Sequence, residues 1–166
     1  MSADGPILVV EADRRLGEAL ASQLAADGFR VELARTARHA RMLASESRPG
    51  LALLGRLESP RGALGLLDEI RGAEEESPCW DSRMPAMVIG GGAAELDVLR
   101  AFEAGADDFL AMPLGYLELR ARMRALLRRT SPPSEEQVLR VGPLRVDLVA
   151  RAAWLHERPL SLRRME

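Results

Sequence analysis

LALLGRLESPRGALGLLDEIR, residues 51–71, holds one complete copy of the pattern that decides the fold. LALL (51–54) is an apolar run of the length and composition of a strand buried on both faces. It ends on Gly55, passes through a charged segment containing Ser59 and Pro60, and leads into ALGLLDEIRG (63–72), which reads as a helix. A buried strand, a polar turn and a helix make one unit of an alternating α/β chain.

The unit recurs on both sides. PILVV (6–10) reads as a buried strand, and Leu16, Leu20 and Leu24 follow at helical spacing until Gly28 closes the helix. FRVELA (29–34) and TARHARMLASES (36–47) form the next strand and helix, AMVIG (86–90) and AAELDVLRAFEAG (93–105) the fourth pair, DDFLAMP (107–113) and YLELRARMRALLRR (116–129) the fifth. Five strands alternating with five helices predict a doubly wound, five-stranded parallel sheet with helices on both faces. The working site of such a sheet lies at the carboxyl ends of its strands.

Beyond this the composition shifts. TSPPSEEQ (130–137), with two prolines among polar residues, reads as a linker. Residues 138–162 then alternate apolar and polar, with GP and HER as turns, which predicts a small antiparallel sheet too short to close a core of its own. Three segments are therefore expected: 1–129, 130–137 and 138–166.

Composition narrows the function. With 166 residues and 47% apolar content, the chain has room for one sizeable domain and a fragment of a second. A net charge of −2 with both signs plentiful excludes a basic nucleic-acid coat, so any DNA contact would be local. No apolar run approaches the roughly 18–20 residues that span a bilayer, and MSADGP lacks the features of a secretory signal, so a cytoplasmic protein is expected. Cys79 is the sole cysteine, and no Cys/His cluster has zinc spacing.

ILVVEAD, the 51–71 stretch, MVIGGG, EAGADDFLAMP and LRARMRALLRR occur in the order of a response-regulator receiver domain, and the chain resembles the branch joined to an OmpR/PhoB-type winged helix. The resemblance covers residues 6–129 as receiver; residues 138–166 look like the amino-terminal sheet of the winged-helix domain, whose recognition helix would follow. It implies an aspartate after the third strand that accepts a phosphoryl group, Mg²⁺ held by acidic residues after the first, a switch Thr or Ser on the fourth and a Lys on the fifth. Phosphoryl transfer needs that set: a carboxylate nucleophile, a hard cation on oxygen ligands, and donors where charge develops.

This chain departs from the pattern at each of those places. Gly55 stands at the acceptor position, Ala12 replaces a metal-binding carboxylate between Glu11 and Asp13, Gly90 replaces the switch hydroxyl and Met112 the lysine. No catalysis, metal or cofactor is expected. Glu58 or Asp13 as a substitute acceptor is disfavoured by the loss of cation and lysine. Arg56 has two readings, one in solvent and one turned inward to pair with Glu11 or Asp13. Phe109, at the aromatic switch position, is expected to pack inward. Gly90, Gly91 and Gly92 lack the Lys and Ser/Thr of a phosphate loop and read as a flexible connection. With small residues at 12, 55 and 90, a roomier pocket is expected, open to a small molecule.

The resemblance also implies a homodimer through the fourth helix, fifth strand and fifth helix, with Asp107, Asp108, Arg122 and Arg129 at the matching positions. Glu118, Arg122 and Arg129 lie along one helical stripe, while Leu119, Met123, Leu126 and Leu127 supply the face for the sheet. Val98 departs from a commonly basic position, and apolar contact from Leu96 and Val98 is expected instead. His39, His156 and Trp154 read as structural, and the insertion EEESPCWDSR (74–83) as a solvated loop. The expected function is a phosphorylation-independent response regulator whose receiver controls a DNA-binding domain by constitutive dimerisation. The alternatives are a protein-interaction module or a small-molecule sensor, with an unidentified protein or ligand as regulator.

Overall fold

The computed structural model describes residues 5–58, 61–74, 77–91, 95–130, 138–147, 152–156 and 158–160. The chain divides into two compact units, Met1–Thr130 and Ser131–Glu166.

In the first unit β1 (Ile7–Val10), α1 (Arg14–Ala26), β2 (Val31–Ala34), α2 (Ala37–Ser47), β3 (Leu51–Leu54), α3 (Gly62–Arg71), β4 (Ala86–Gly90), α4 (Glu95–Glu103), β5 (Asp108–Ala111) and α5 (Tyr116–Thr130) alternate. The strands form one parallel sheet in the order β2-β1-β3-β4-β5. The alternation of side chains splits the core into two layers. Ile7 and Val9 pack with Leu20, Leu24, Leu119, Met123, Leu126 and Leu127 of α1 and α5, whereas Leu8 and Val10 pack with Ala40, Ala44, Leu66 and Ile70 of α2 and α3. Register then positions the site: Val10 pairs with Ala34 on one side and Leu54 on the other. Glu11 and Gly55 therefore leave the sheet side by side.

Polar residues set the helix starts. The Asp13 carboxylate accepts hydrogen bonds from the backbone N–H groups of Arg15 (2.9 Å) and Leu16 (3.2 Å), and Thr36 Oγ1 accepts from His39 N–H (3.2 Å). The capping Asp13 starts α1 two residues before Leu16, where its apolar spacing begins.

In the 74–83 insertion, of which residues 75–76 lie outside the described residues, Glu74, Pro78, Asp81 and Arg83 are exposed as a solvated loop requires, but Trp80 is not. Trp80 is only 3% exposed and lies in the core layer of α2 and α3. Its indole N–H donates to Glu69 (3.0 Å), which also receives two bonds from Arg41 (2.7 and 2.8 Å). Those bonds, Arg41's first, hold the Glu69 carboxyl below its ordinary pKa against the opposing effect of burial. Trp80 is thus an apolar anchor with a satisfied polar edge.

Sequence periodicity also missed a link between α1 and α5. The Tyr116 hydroxyl donates to Asp27 (2.6 Å), whose carboxylate also receives Arg120 (3.2 Å). Burial, and then this bond, push the Tyr116 pKa up to about 12.

The second unit is an antiparallel sheet of β6 (Val138–Val141), β7 (Leu144–Asp147), β8 (Ala152–Leu155) and β9 (Arg158–Leu160), in that order. Gly142 takes a positive φ of 58° in its first turn and His156 one of 48° in its last, while Trp154 lies within β8. Residues 131–137 of the expected linker lie outside the described residues, and Thr130 belongs to α5.

Two outcomes follow for stability. Trp80→Ala is expected to lower the unfolding free energy in urea by about 3–5 kcal/mol; a loss under about 1 kcal/mol would show that the insertion is not anchored. Tyr116 favours its neutral form when folded, so its contribution is complete below pH 10.0 and lost as pH rises towards about 12. Tyr116→Phe should flatten that alkaline loss in urea titrations at a series of pH values, and an unchanged slope would overturn the assignment.

Candidate functional site

The carboxyl ends of β1 and β3 meet at a buried carboxylate. Glu11 is 3% exposed and is the one charged residue found buried among the described residues. Its Oε1 accepts the Asp13 N–H (2.8 Å) and its Oε2 the Arg56 N–H (3.0 Å). Backbone bonds run alongside: Gly55 N–H to Val10 O (2.8 Å), Ala12 N–H to Arg56 O (2.8 Å) and Glu11 N–H to Ala34 O (2.9 Å). A buried charge is costly without partners, and these two N–H groups supply them.

That carboxylate explains Gly55. A Cβ at position 55 would run into Glu11 Oε2 and lie 3.1 Å from its Cδ. Among the described glycines positive φ occurs at Gly28, Gly62, Gly105 and Gly142, so the backbone does not demand glycine at 55; a side chain there would require the end of the Glu11 side chain to shift. The Glu11 carboxylate lies where a side chain at position 55 would begin.

Asp13 is committed as well. Besides capping α1, it receives the Arg56 guanidinium at 3.0 Å. Its pKa is held below the ordinary carboxylate value, first by the Leu16 N–H, with Arg15 and Arg56 adding and burial opposing. Arg56 combines the two expected readings: it pairs with Asp13 and comes within 4.0 Å of Glu11, yet its side chain is 69% exposed. Such a pair contributes little by itself. Leu57 turns inward, and Glu58 is exposed.

These residues do not fit Mg²⁺, which takes near-octahedral oxygen coordination. Ala12 and Gly55 offer no side-chain ligand, Glu11 faces backbone N–H groups, and Asp13 faces N–H groups and a guanidinium. Among the described residues no three His, Cys, Asp or Glu are grouped to hold a metal.

Beside this, Phe109 is half-buried and packs against the α2–α3 core layer. A Cβ at Gly90 would collide with its ring, lying 2.7 Å from Cε2. Met112 packs with Leu114 and Tyr116 against the opposite core layer, and none of the 23 basic residues of the chain is lysine. Gly91 faces open space, while Gly92 lies outside the described residues. Glu11 Oε2 and the Phe109 ring lie closest to where side chains at positions 55 and 90 would begin.

Several residues expected on the dimer face pair within the chain. Asp107 Oδ2 accepts from Arg71 (2.6 Å) and from the Ala86 N–H (2.8 Å). Arg71 also donates to the carbonyls of Gly105 (2.7 Å), Ser82 (2.9 Å) and Met84 (2.8 Å), joining α3 to the starts of β4 and β5. Asp108 receives Arg122 on both oxygens (3.1 Å each), and Arg122 also donates to Glu118 (2.9 Å). Asp108 first, then Glu118, raise the Arg122 pKa. Arg129 is exposed and Val98 half-buried. The exposed apolar side chains of α4 are Leu96, Leu99 and Phe102, at 54%, 52% and 47%. Their i, i+3, i+6 spacing is a signal present in the sequence, of which only Leu96 is among the expected contacts.

No protein-family model matches the chain. It is 34% identical over 163 residues to the response regulator MprA of Mycolicibacterium vanbaalenii, spanning 96% of this chain and 68% of that protein. To the response regulator MprA of Mycobacterium tuberculosis strain H37Ra it is 33% identical over 162 residues, spanning 96% and 67%. Among solved structures it is similar to the non-phosphorylated HemR receiver domain of Leptospira biflexa, with 30% identity, a TM-score of 0.64, and 77% and 98% of the two chains covered. The receiver domain of NtrX from Brucella abortus gives 28% identity, a TM-score of 0.64, and coverage of 75% and 99%.

Restoring an acceptor should be costly. Gly55→Asp places a second carboxylate against Glu11 and is expected to destabilise the protein by about 1–3 kcal/mol from overpacking alone, measured as a shift in the guanidinium midpoint. Adding Glu11→Ala should recover part of the loss. A Gly55→Asp protein as stable as its parent would mean that Glu11 yields freely.

Proposed function

The chain belongs to the response-regulator family, its first unit being a receiver domain of two-component signalling, and we propose that this receiver acts without aspartyl phosphorylation. The carrying observation is the buried Glu11 carboxylate, which lies where a side chain at position 55 would have to stand. Phosphoryl transfer to a receiver needs a nucleophilic carboxylate, a cation and a charge-reading donor together. Position 55 carries no side chain, the acids beside it are bonded to backbone and Arg56, and position 112 is Met. The receiver is therefore a non-enzymatic, atypical member that binds no Mg²⁺ for this purpose.

The output is transcription regulation through DNA. In support, the chain spans about two thirds of the MprA relatives' length, and a four-stranded antiparallel sheet follows the receiver. We assign that sheet to the start of a winged-helix domain of the OmpR/PhoB type. Helix-turn-helix proteins that bind as dimers read two half-sites, so a receiver pair held together without phosphate keeps the output competent. Leu96, Leu99 and Phe102 on α4, with Val98 behind them and Arg129 on α5, supply the face for that homodimer. The same apolar stripe also favours a second reading, in which α4 docks a different protein. No described helix is long and apolar enough to cross a membrane.

Sedimentation of the chain with and without Mg²⁺ and beryllofluoride, a mimic of the acyl phosphate, tests this function. A dimer unchanged by both is expected. A monomer that dimerises only on their addition would overturn phosphate independence, and a monomer under every condition would move the assignment to the docking module.

A further inference from the structure

The insertion between α3 and β4 is organised by its own side chains. Ser77 Oγ accepts the N–H groups of Cys79 (3.4 Å) and Trp80 (3.2 Å), and Asp81 Oδ1 accepts that of Arg83 (2.8 Å). Two residues of α3 then fasten it. Glu69 accepts the Trp80 indole N–H at 3.0 Å, and Arg71 donates to the carbonyls of Ser82 and Met84 at 2.9 and 2.8 Å.

The same Arg71 guanidinium reaches a second segment, the turn between α4 and β5. It donates there to Gly105 O (2.7 Å) and to Asp107 (2.6 Å). Asp107 pairs reciprocally with the first residue of β4: its Oδ2 accepts the Ala86 N–H and its own N–H donates to Ala86 O, each at 2.8 Å. Trp80, Met84, Ala101 and Ala106 also share one core layer, so insertion and turn rest on common ground.

We infer that the insertion is a strap coupled through Arg71 to the α4–β5 turn, so that unseating Trp80 loosens the start of β5. A guanidinium is planar and its donors point in fixed directions. Displacing Ser82 and Met84 therefore costs Arg71 its alignment with Gly105 and Asp107, and segments that share such a partner open as one unit. The unit extends to α4, because the Gly105 N–H donates to Phe102 O (2.9 Å) and Phe102 is one of its exposed apolar side chains. The strap thereby gives the α4 face a regulatory input from the α3–β4 connection, a last step that rests on the homodimer proposed above.

The strap is tested by amide hydrogen exchange on Trp80→Phe, Arg71→Ala and the double variant of the full chain. Phenylalanine keeps an apolar ring in the core layer but has no N–H for Glu69. Trp80→Phe is expected to speed exchange at Ala86, Ala106 and Asp107 about tenfold more than at Ile7 and Glu11, whose N–H groups bond to Arg30 and Ala34. In the Arg71→Ala background that excess should vanish, the non-additivity that marks coupling through Arg71. An equal excess in both backgrounds, or none with Arg71 intact, would overturn the strap. If Arg71→Ala does not fold, Arg71→Lys completes the cycle, since an ammonium has three N–H groups for four acceptors. Sedimentation separates the two proposals. Weaker association of Trp80→Phe supports the link to α4, and unchanged association refutes it. An unaltered chain that is monomeric refutes the homodimer, whereas the exchange cycle decides the strap in either case.

Discussion

A carboxylate taken out of water must be matched by donors, and Glu11 finds them in the backbone of two loops. One N–H comes from Asp13 after β1 and the other from Arg56 after β3, so a single side chain ties both loops together. The parallel register that pairs Val10 with Leu54 makes this reach feasible. Around it, a side chain at position 55 would require the Glu11 carboxylate to move, Asp13 caps α1, and Arg56 pairs with Asp13 at the exposed edge.

The same economy of partners appears at the other end of the sheet and along α5. Arg71 spends its donors on three carbonyls and Asp107, and Arg122 spends its own on Asp108 and Glu118. Gly105, at a φ of +91°, lets Arg71 pass close to the backbone, since a Cβ there would lie 3.0 Å from its Cγ. Charges that would suit an intermolecular pair are already satisfied inside one chain. An association through this face must exchange those pairs or rely on the exposed apolar residues of α4, whose burial is favourable without any exchange.

Most of the fold was legible because its signals are local. Apolar runs and helical spacing located all five strand–helix pairs of the receiver, and the alternation after residue 137 located the small antiparallel sheet. The residue types at 12, 55, 90 and 112 are equally legible, because a residue type either can or cannot donate, ligate or attack. Trp80 was misjudged for the opposite reason. It sits in a polar stretch, EEESPCWDSR, and its burial depends on Glu69 and a core layer that lies elsewhere in the chain.

The sequence by itself therefore determined the alternating architecture, the carboxyl edge where the site lies, and the absence of a carboxylate at Gly55. Only the tertiary structure decided what stands there instead. Glu11 and the Arg56 amide are 45 residues apart, and Arg71 and Asp107 are 36 apart. Periodicity is a property of neighbours along the chain, whereas the partner of a buried charge or the ring that fills a glycine's space is set by strand register and packing.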